Sequence, residues 1–82
     1  MRYRTLGRTG LQVSEVSLGT EYLMDKSREH IVEVIHAAIE AGINYFDLFG
    51  AAPAFRDAMG AAFAGRREDV YLAAHLGAAV TA

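Results

Sequence analysis

The apolar residues Ile31, Val34, Ile35, Ala38 and Ile39 recur at three- and four-residue spacing, with Glu29, Glu33, His36 and Glu40 on the opposite side. That period predicts an amphipathic helix over residues 28–41. Ser27 is placed to cap its first turn, Glu29 adds an acid there, and Gly42 suits the position just past its end. A second stripe, Phe55, Met59, Ala62 and Phe63, predicts a helix over residues 53–64, opened by Pro53 and closed by Gly65. His30 and His36 read as solvated residues on the first helix.

The extended segments are shorter. Tyr3 to Leu6 and Leu11 to Val13 flank the turn signals Gly7-Arg8-Thr9-Gly10, which predicts a β-hairpin over residues 2–13. Residues 15–18 read as a strand with Val16 and Leu18 on one face, ended by Gly19-Thr20. Glu21 to Lys26 reads as a linker, and Arg66 to Asp69 as a polar turn. Ile43 to Phe46 and Val70 to Ala74 are mostly apolar runs, as expected of strands buried on both faces in a parallel sheet. The order is therefore hairpin, then β-α-β-α-β: an α/β class with parallel crossovers. Asp47 falls at the C-terminal end of the second of these strands, where α/β folds usually do their chemistry.

Composition narrows the partners. At 82 residues the chain supports one small domain, and 52% hydrophobic with 22% charged residues makes it globular. A formal net charge of −2 with scattered charges argues against nucleic acid. The absence of cysteine excludes disulfides, thiolate metal ligands and a cysteine nucleophile within these residues. No uncharged apolar run approaches the roughly 20 residues a membrane-spanning helix needs. Residues 1–5 turn polar at once, so no secretory signal is expected and a cytoplasmic protein is.

The common phosphate motifs fail. Gly-x-Gly-x-x-Gly is absent. Gly60 and Gly65 have Walker spacing, but Arg66-Arg67 stands where Lys-Ser/Thr is needed, so they read as a helix end and a basic turn. HExxH is missing, and three scattered histidines make no metal cluster.

Taken together, several stretches resemble the N-terminal part of the aldo-keto reductase family. Tyr3-Arg4-Thr5-Leu6-Gly7-Arg8-Thr9-Gly10-Leu11-Gln12-Val13-Ser14 is similar to its opening hairpin. Leu18-Gly19-Thr20 is similar to the end of its first barrel strand, and Ala41-Gly42-Ile43-Asn44-Tyr45-Phe46-Asp47 to the segment delivering its catalytic aspartate. Gly60, Gly65-Arg66-Arg67 and Val70-Tyr71-Leu72-Ala73 continue the match without a gap. The resemblance implies the N-terminal portion of a TIM (β/α)8 barrel, a fold that takes about 250 residues. The chain is then expected to be a fragment or a shortened product. Self-association, or the remainder of the barrel, would cover its open edges.

The resemblance also implies a chemistry. Family members pass a hydride between NADPH and a carbonyl, with protonation by a tyrosine whose pKa a lysine lowers; an aspartate pairs with the lysine. The aspartate falls on Asp47, whose other reading is a cap accepting backbone N–H bonds. Gly19 and Thr20 fall where the family approaches the nicotinamide ribose; their other reading is a plain turn. The tyrosine position is Ala52 and the lysine position is His75. Alanine donates no proton. His75 either pairs with Asp47 as a substitute acid or simply fills a polar strand-end position. Tyr-Phe-Asp-Leu with a following proline, and histidine for lysine, look more like a subgroup with a C-terminal iron–sulfur segment, whose cysteines would lie outside these residues.

Three readings follow. The chain belongs to an NADP-linked oxidoreductase with altered catalysis, to a barrel that binds without catalysing, or to a truncated product with no function alone.

Overall fold

The computed structural model describes residues 1–48 and 52–74. Strands β1 (Tyr3–Thr5) and β2 (Gln12–Ser14) form an antiparallel hairpin with Tyr3 opposite Ser14 and Thr5 opposite Gln12. Its turn is closed by the Thr9 hydroxyl, which donates to the Leu6 carbonyl at 2.6 Å and accepts from the Leu11 N–H at 3.1 Å. Separately, β3 (Leu18–Gly19), β4 (Tyr45–Leu48) and β5 (Tyr71–Ala74) form a parallel sheet in the order β3-β4-β5. Leu18 and Gly19 pair with Phe46 and Asp47, and Tyr45 to Leu48 pair with Tyr71 to Ala74.

Helices α1 (Arg28–Glu40) and α2 (Pro53–Phe63) connect these strands. The Ser27 hydroxyl caps α1 by accepting the His30 N–H at 3.2 Å, which satisfies a donor the first turn would leave free. Ile31, Ile35 and Ala38 of α1, with Phe55, Ala58, Met59, Ala62 and Phe63 of α2, bury against Phe46, Leu48 and Val70. The Phe46 and Phe63 rings meet edge to face, with centroids 5.2 Å apart. Leu18 and Leu72 pack against the same cluster, so both helices cover one face of the sheet. The architecture is a two-layer α/β unit with an added hairpin.

Strand burial is therefore one-sided, contrary to the expectation for β4. Phe46 and Leu48 turn into the core, while Tyr45 and Asp47 alternate to the other face and stay half-buried. Tyr71 and Ala73 of β5 share that face in register and are half-buried as well.

Three boundaries move, each for a local reason. The strand expected at 15–18 is Leu18–Gly19. Glu15 instead prolongs the hairpin through its N–H to the Arg2 carbonyl at 2.8 Å, and its carboxylate meets the Arg4 guanidinium. Val16 is 55% exposed and shares no buried face with Leu18. The strand expected at 43–46 begins at Tyr45, because Gly42 and Ile43 finish α1. Gly42 N–H bonds the Ile39 carbonyl at 2.9 Å and Ile43 N–H bonds that of Ala38 at 3.0 Å, a Schellman ending with Gly42 at φ 95°. The last strand starts at Tyr71, one residue late, behind a 3₁₀ turn at Arg67–Asp69 where a plain polar turn was expected.

Two further differences concern side chains. His36 was expected on the solvated side of α1, yet it is half-buried and its Nε2–H donates to the Ala62 carbonyl of α2 at 2.8 Å. The linker at 21–26 holds a 3₁₀ turn, Glu21–Leu23, that tucks Leu23 into the core. No helix among the described residues is long and apolar enough to cross a membrane.

Candidate functional site

The two ends of the parallel sheet are built differently. At the N-terminal end of β4, Asn44 fastens the hairpin. Its Oδ1 accepts the Ser14 N–H at 2.7 Å and its Nδ2 donates to the Gln12 carbonyl at 2.9 Å. Its backbone N–H donates to the Ser14 hydroxyl at 3.2 Å, and its carbonyl accepts the Tyr71 N–H at 2.7 Å. Beside it, the Tyr3 hydroxyl donates to the Gly42 carbonyl at 2.6 Å. A Cβ on Gly42 would lie 3.0 Å from Met1 Cβ, so the hairpin rests directly on this glycine.

The opposite, C-terminal end carries the candidate chemistry. Asp47 is the third of four residues in β4, one residue before the strand's end. Its register neighbours are Gly19 on β3 and Ala73 on β5. Neither has a side chain longer than a methyl, so the carboxylate, on the face turned away from the helices, has small neighbours in register on both sides. A Cβ built on Gly19 would meet nothing within 4 Å, so a ligand has backbone-close access there.

Thr20 follows directly. Its side chain is fully buried, and its hydroxyl donates to the Asp47 carbonyl at 2.6 Å. The structure thus brings Gly19, Thr20 and Asp47 together. Ala52 caps the start of α2 in an extended conformation (φ −62°, ψ 133°) without a side-chain hydrogen bond, and it packs against the core. His75 lies outside the described residues, as do positions 49–51.

The Thr20 bond to Asp47 was not visible in the sequence. The two residues are 27 apart, and only the register of β3 against β4 makes them neighbours. Threonine after a strand-ending glycine otherwise reads as a turn residue.

The candidate cofactors fit unequally. The sequence has no cysteine, so these residues cannot ligate an iron–sulfur cluster. Among the described residues, no group of three His, Cys, Asp or Glu side chains could hold a metal ion. A dinucleotide fits only at one edge: the open approach at Gly19 and the carboxylate of Asp47 suit a polar ribose, while no glycine-rich loop cradles its phosphates. Two clefts flank the helices. One of about 330 Å³ lies between Lys26, Arg28, Ile31 and Phe55, and one of about 340 Å³ between α2 and Leu72. Asp47 lines neither.

No model of a known protein family matches the chain, and no curated protein matches it.

Proposed function

We propose that this chain is the opening portion of an aldo-keto reductase-like barrel that has exchanged the family's proton donor for alanine. The observation that carries the reading is the position of Asp47. It sits near the C-terminal end of the central strand, on the face turned away from both helices, with the hairpin fastened to the other end. Parallel β-α-β-α-β order and a single helix-covered face support the same reading, since this is the layering from which a (β/α)8 barrel is built. The further βα units, or another copy of the chain, would then cover the face around Tyr45 and Tyr71.

In this reading NADP, when bound, supplies the hydride. The chain's own residues do less than the family's full set. Asp47 offers a carboxylate to orient a cationic or hydroxyl partner, and Gly19 leaves room for a ligand to approach the backbone. Ala52 has no proton to give. The acid role then falls to His75, the side chain at the family's lysine position.

A non-catalytic binding role has one observation in its favour. The Ala52 methyl is taken up in core packing, so this position contributes to the fold and not to proton delivery.

The test is the double variant Ala52→Tyr with His75→Lys, made in the protein assembled with the rest of its barrel. NADPH-dependent reduction of an aromatic aldehyde is expected to rise by roughly 10²–10⁴-fold, the usual contribution of a positioned general acid. No gain, with the fold intact, defeats the reductase reading.

A further inference from the structure

We propose that the cleft between the N-terminal turns of α1 and α2 binds a small zwitterion with an apolar side chain, of the α-amino acid class. Arg28, aided by Lys26, takes its carboxylate, and Asp57 takes its ammonium group. This site is separate from the one around Asp47, which does not line the cleft, and it stands whether or not the reductase reading holds.

The cleft has two charged sides and a carbon floor. Lys26 and Arg28, just before and at the start of α1, line one side, and Asp57, in the second turn of α2, lines the other. Ile31, Phe55 and Ala58 line it between them, and all three are buried. The volume of about 330 Å³ lies at the small end of the roughly 300–1,000 Å³ typical of ligand sites, which suits one molecule of amino-acid size.

Charge narrows the ligand. An anion alone would meet Asp57, and a cation alone would meet Lys26 and Arg28. A molecule that carries both charges is complementary to both sides. The chain does not cancel these charges across the cleft. Among the described residues Arg28 and Asp57 take part in no ion pair, and Lys26 lies 3.8 Å from Asp25, its neighbour in sequence. Arg28 is therefore the main carboxylate partner, since its guanidinium can donate two parallel hydrogen bonds. The apolar floor selects the rest of the molecule, because a hydrocarbon side chain loses water there and a polar one gains no partner. The cleft between α2 and Leu72 lacks this pattern: its charged lining residues, Arg56 and Arg67, are both cationic.

Titration of the full chain with L-phenylalanine, hydrocinnamate and phenethylamine separates the contributions, because the second lacks the ammonium and the third the carboxylate. Binding is read from the methyl NMR signals of Ile31 and Ala58, which the ring current of a bound ligand moves. L-Phenylalanine is expected to shift both, and each analogue to bind about tenfold more weakly through the loss of one charge-assisted contact. Arg28→Gln is expected to weaken L-phenylalanine by a similar factor and leave phenethylamine unchanged. Asp57→Asn is expected to weaken L-phenylalanine and leave hydrocinnamate no weaker. Methyl signals that stay unmoved up to the solubility of L-phenylalanine overturn the proposal. Equal affinities for the three ligands, or a loss with only one analogue, overturn it too, since the cleft would then take any apolar body or a single charge. Unchanged affinity for L-phenylalanine in either folded variant does the same. Should a variant lose its fold, the three ligands on the unaltered chain decide alone.

Discussion

The two ends of β4 differ in how much holds them. At the N-terminal end, Asn44 alone takes part in four hydrogen bonds, to Gln12, Ser14 and Tyr71, and Tyr3 ties down the adjoining Gly42. At the C-terminal end, Asp47 stands between Gly19 and Ala73, and α2 begins at Ala52 without a side-chain cap. One end is closed by polar side chains that read each other's backbones. At the other, the Thr20 hydroxyl reaches the Asp47 carbonyl, and the side chains flanking the carboxylate in register are small. A strand anchored firmly at one end can present a functional group at the other without building the whole unit out of loops, and that division of labour is general in α/β folds.

Substitutions can break this contrast or sharpen it. Phe46 lies between the two ends, fully buried against Phe63, and supports both. Phe46→Ala should cost about 3–5 kcal/mol in urea unfolding, enough to remove the distinction by unfolding the unit. Asn44→Ala acts on one end only. It leaves the part-buried Ser14 N–H without its partner and the exposed Gln12 carbonyl to water, and a loss of about 2 kcal/mol is expected. Hydrogen exchange should then quicken in the hairpin amides while those of α1 and α2 stay protected. Gly42→Ala tests the same end through shape. The φ of 95° and the 3.0 Å approach to Met1 Cβ both oppose a side chain, and about 1–2 kcal/mol should be lost on thermal unfolding.

The sequence made the helices legible because their period and punctuation agree. Ser27, Gly42 and Pro53 mark their ends, and α1 and α2 each stop one residue short of the expected C-terminus. The strands were harder. Ile43 and Asn44 look like strand residues, but one closes the α1 Schellman motif and the other serves the hairpin. The Asn44 partners in the hairpin are 30 and 32 residues away, which no local pattern encodes. His36 misled for a related reason: it falls among the acids of the polar stripe, and only the arrival of α2 turns its flank inward. At the site, Asp47 could be picked out as a strand-end carboxylate. Gly19 was a candidate through the resemblance, but that it and Ala73 flank Asp47 was not legible, because it depends on register across two strand pairs.

The Asn44 clasp also bears on the order of events in folding. The hairpin closes a short local turn, whereas the bonds from Asn44 to Ser14 and Gln12 span 30 and 32 residues. Closing such a span carries a loop entropy that local pairing does not. The clasp is therefore expected to form after α1 has folded back, on the native side of the rate-limiting barrier. Asn44→Ala should accordingly speed unfolding while leaving the refolding rate nearly unchanged, which a chevron plot of the two proteins will read directly. The amide that fixes where the hairpin sits would then act mainly as a brake on opening, setting how long the native state lasts once it has been reached.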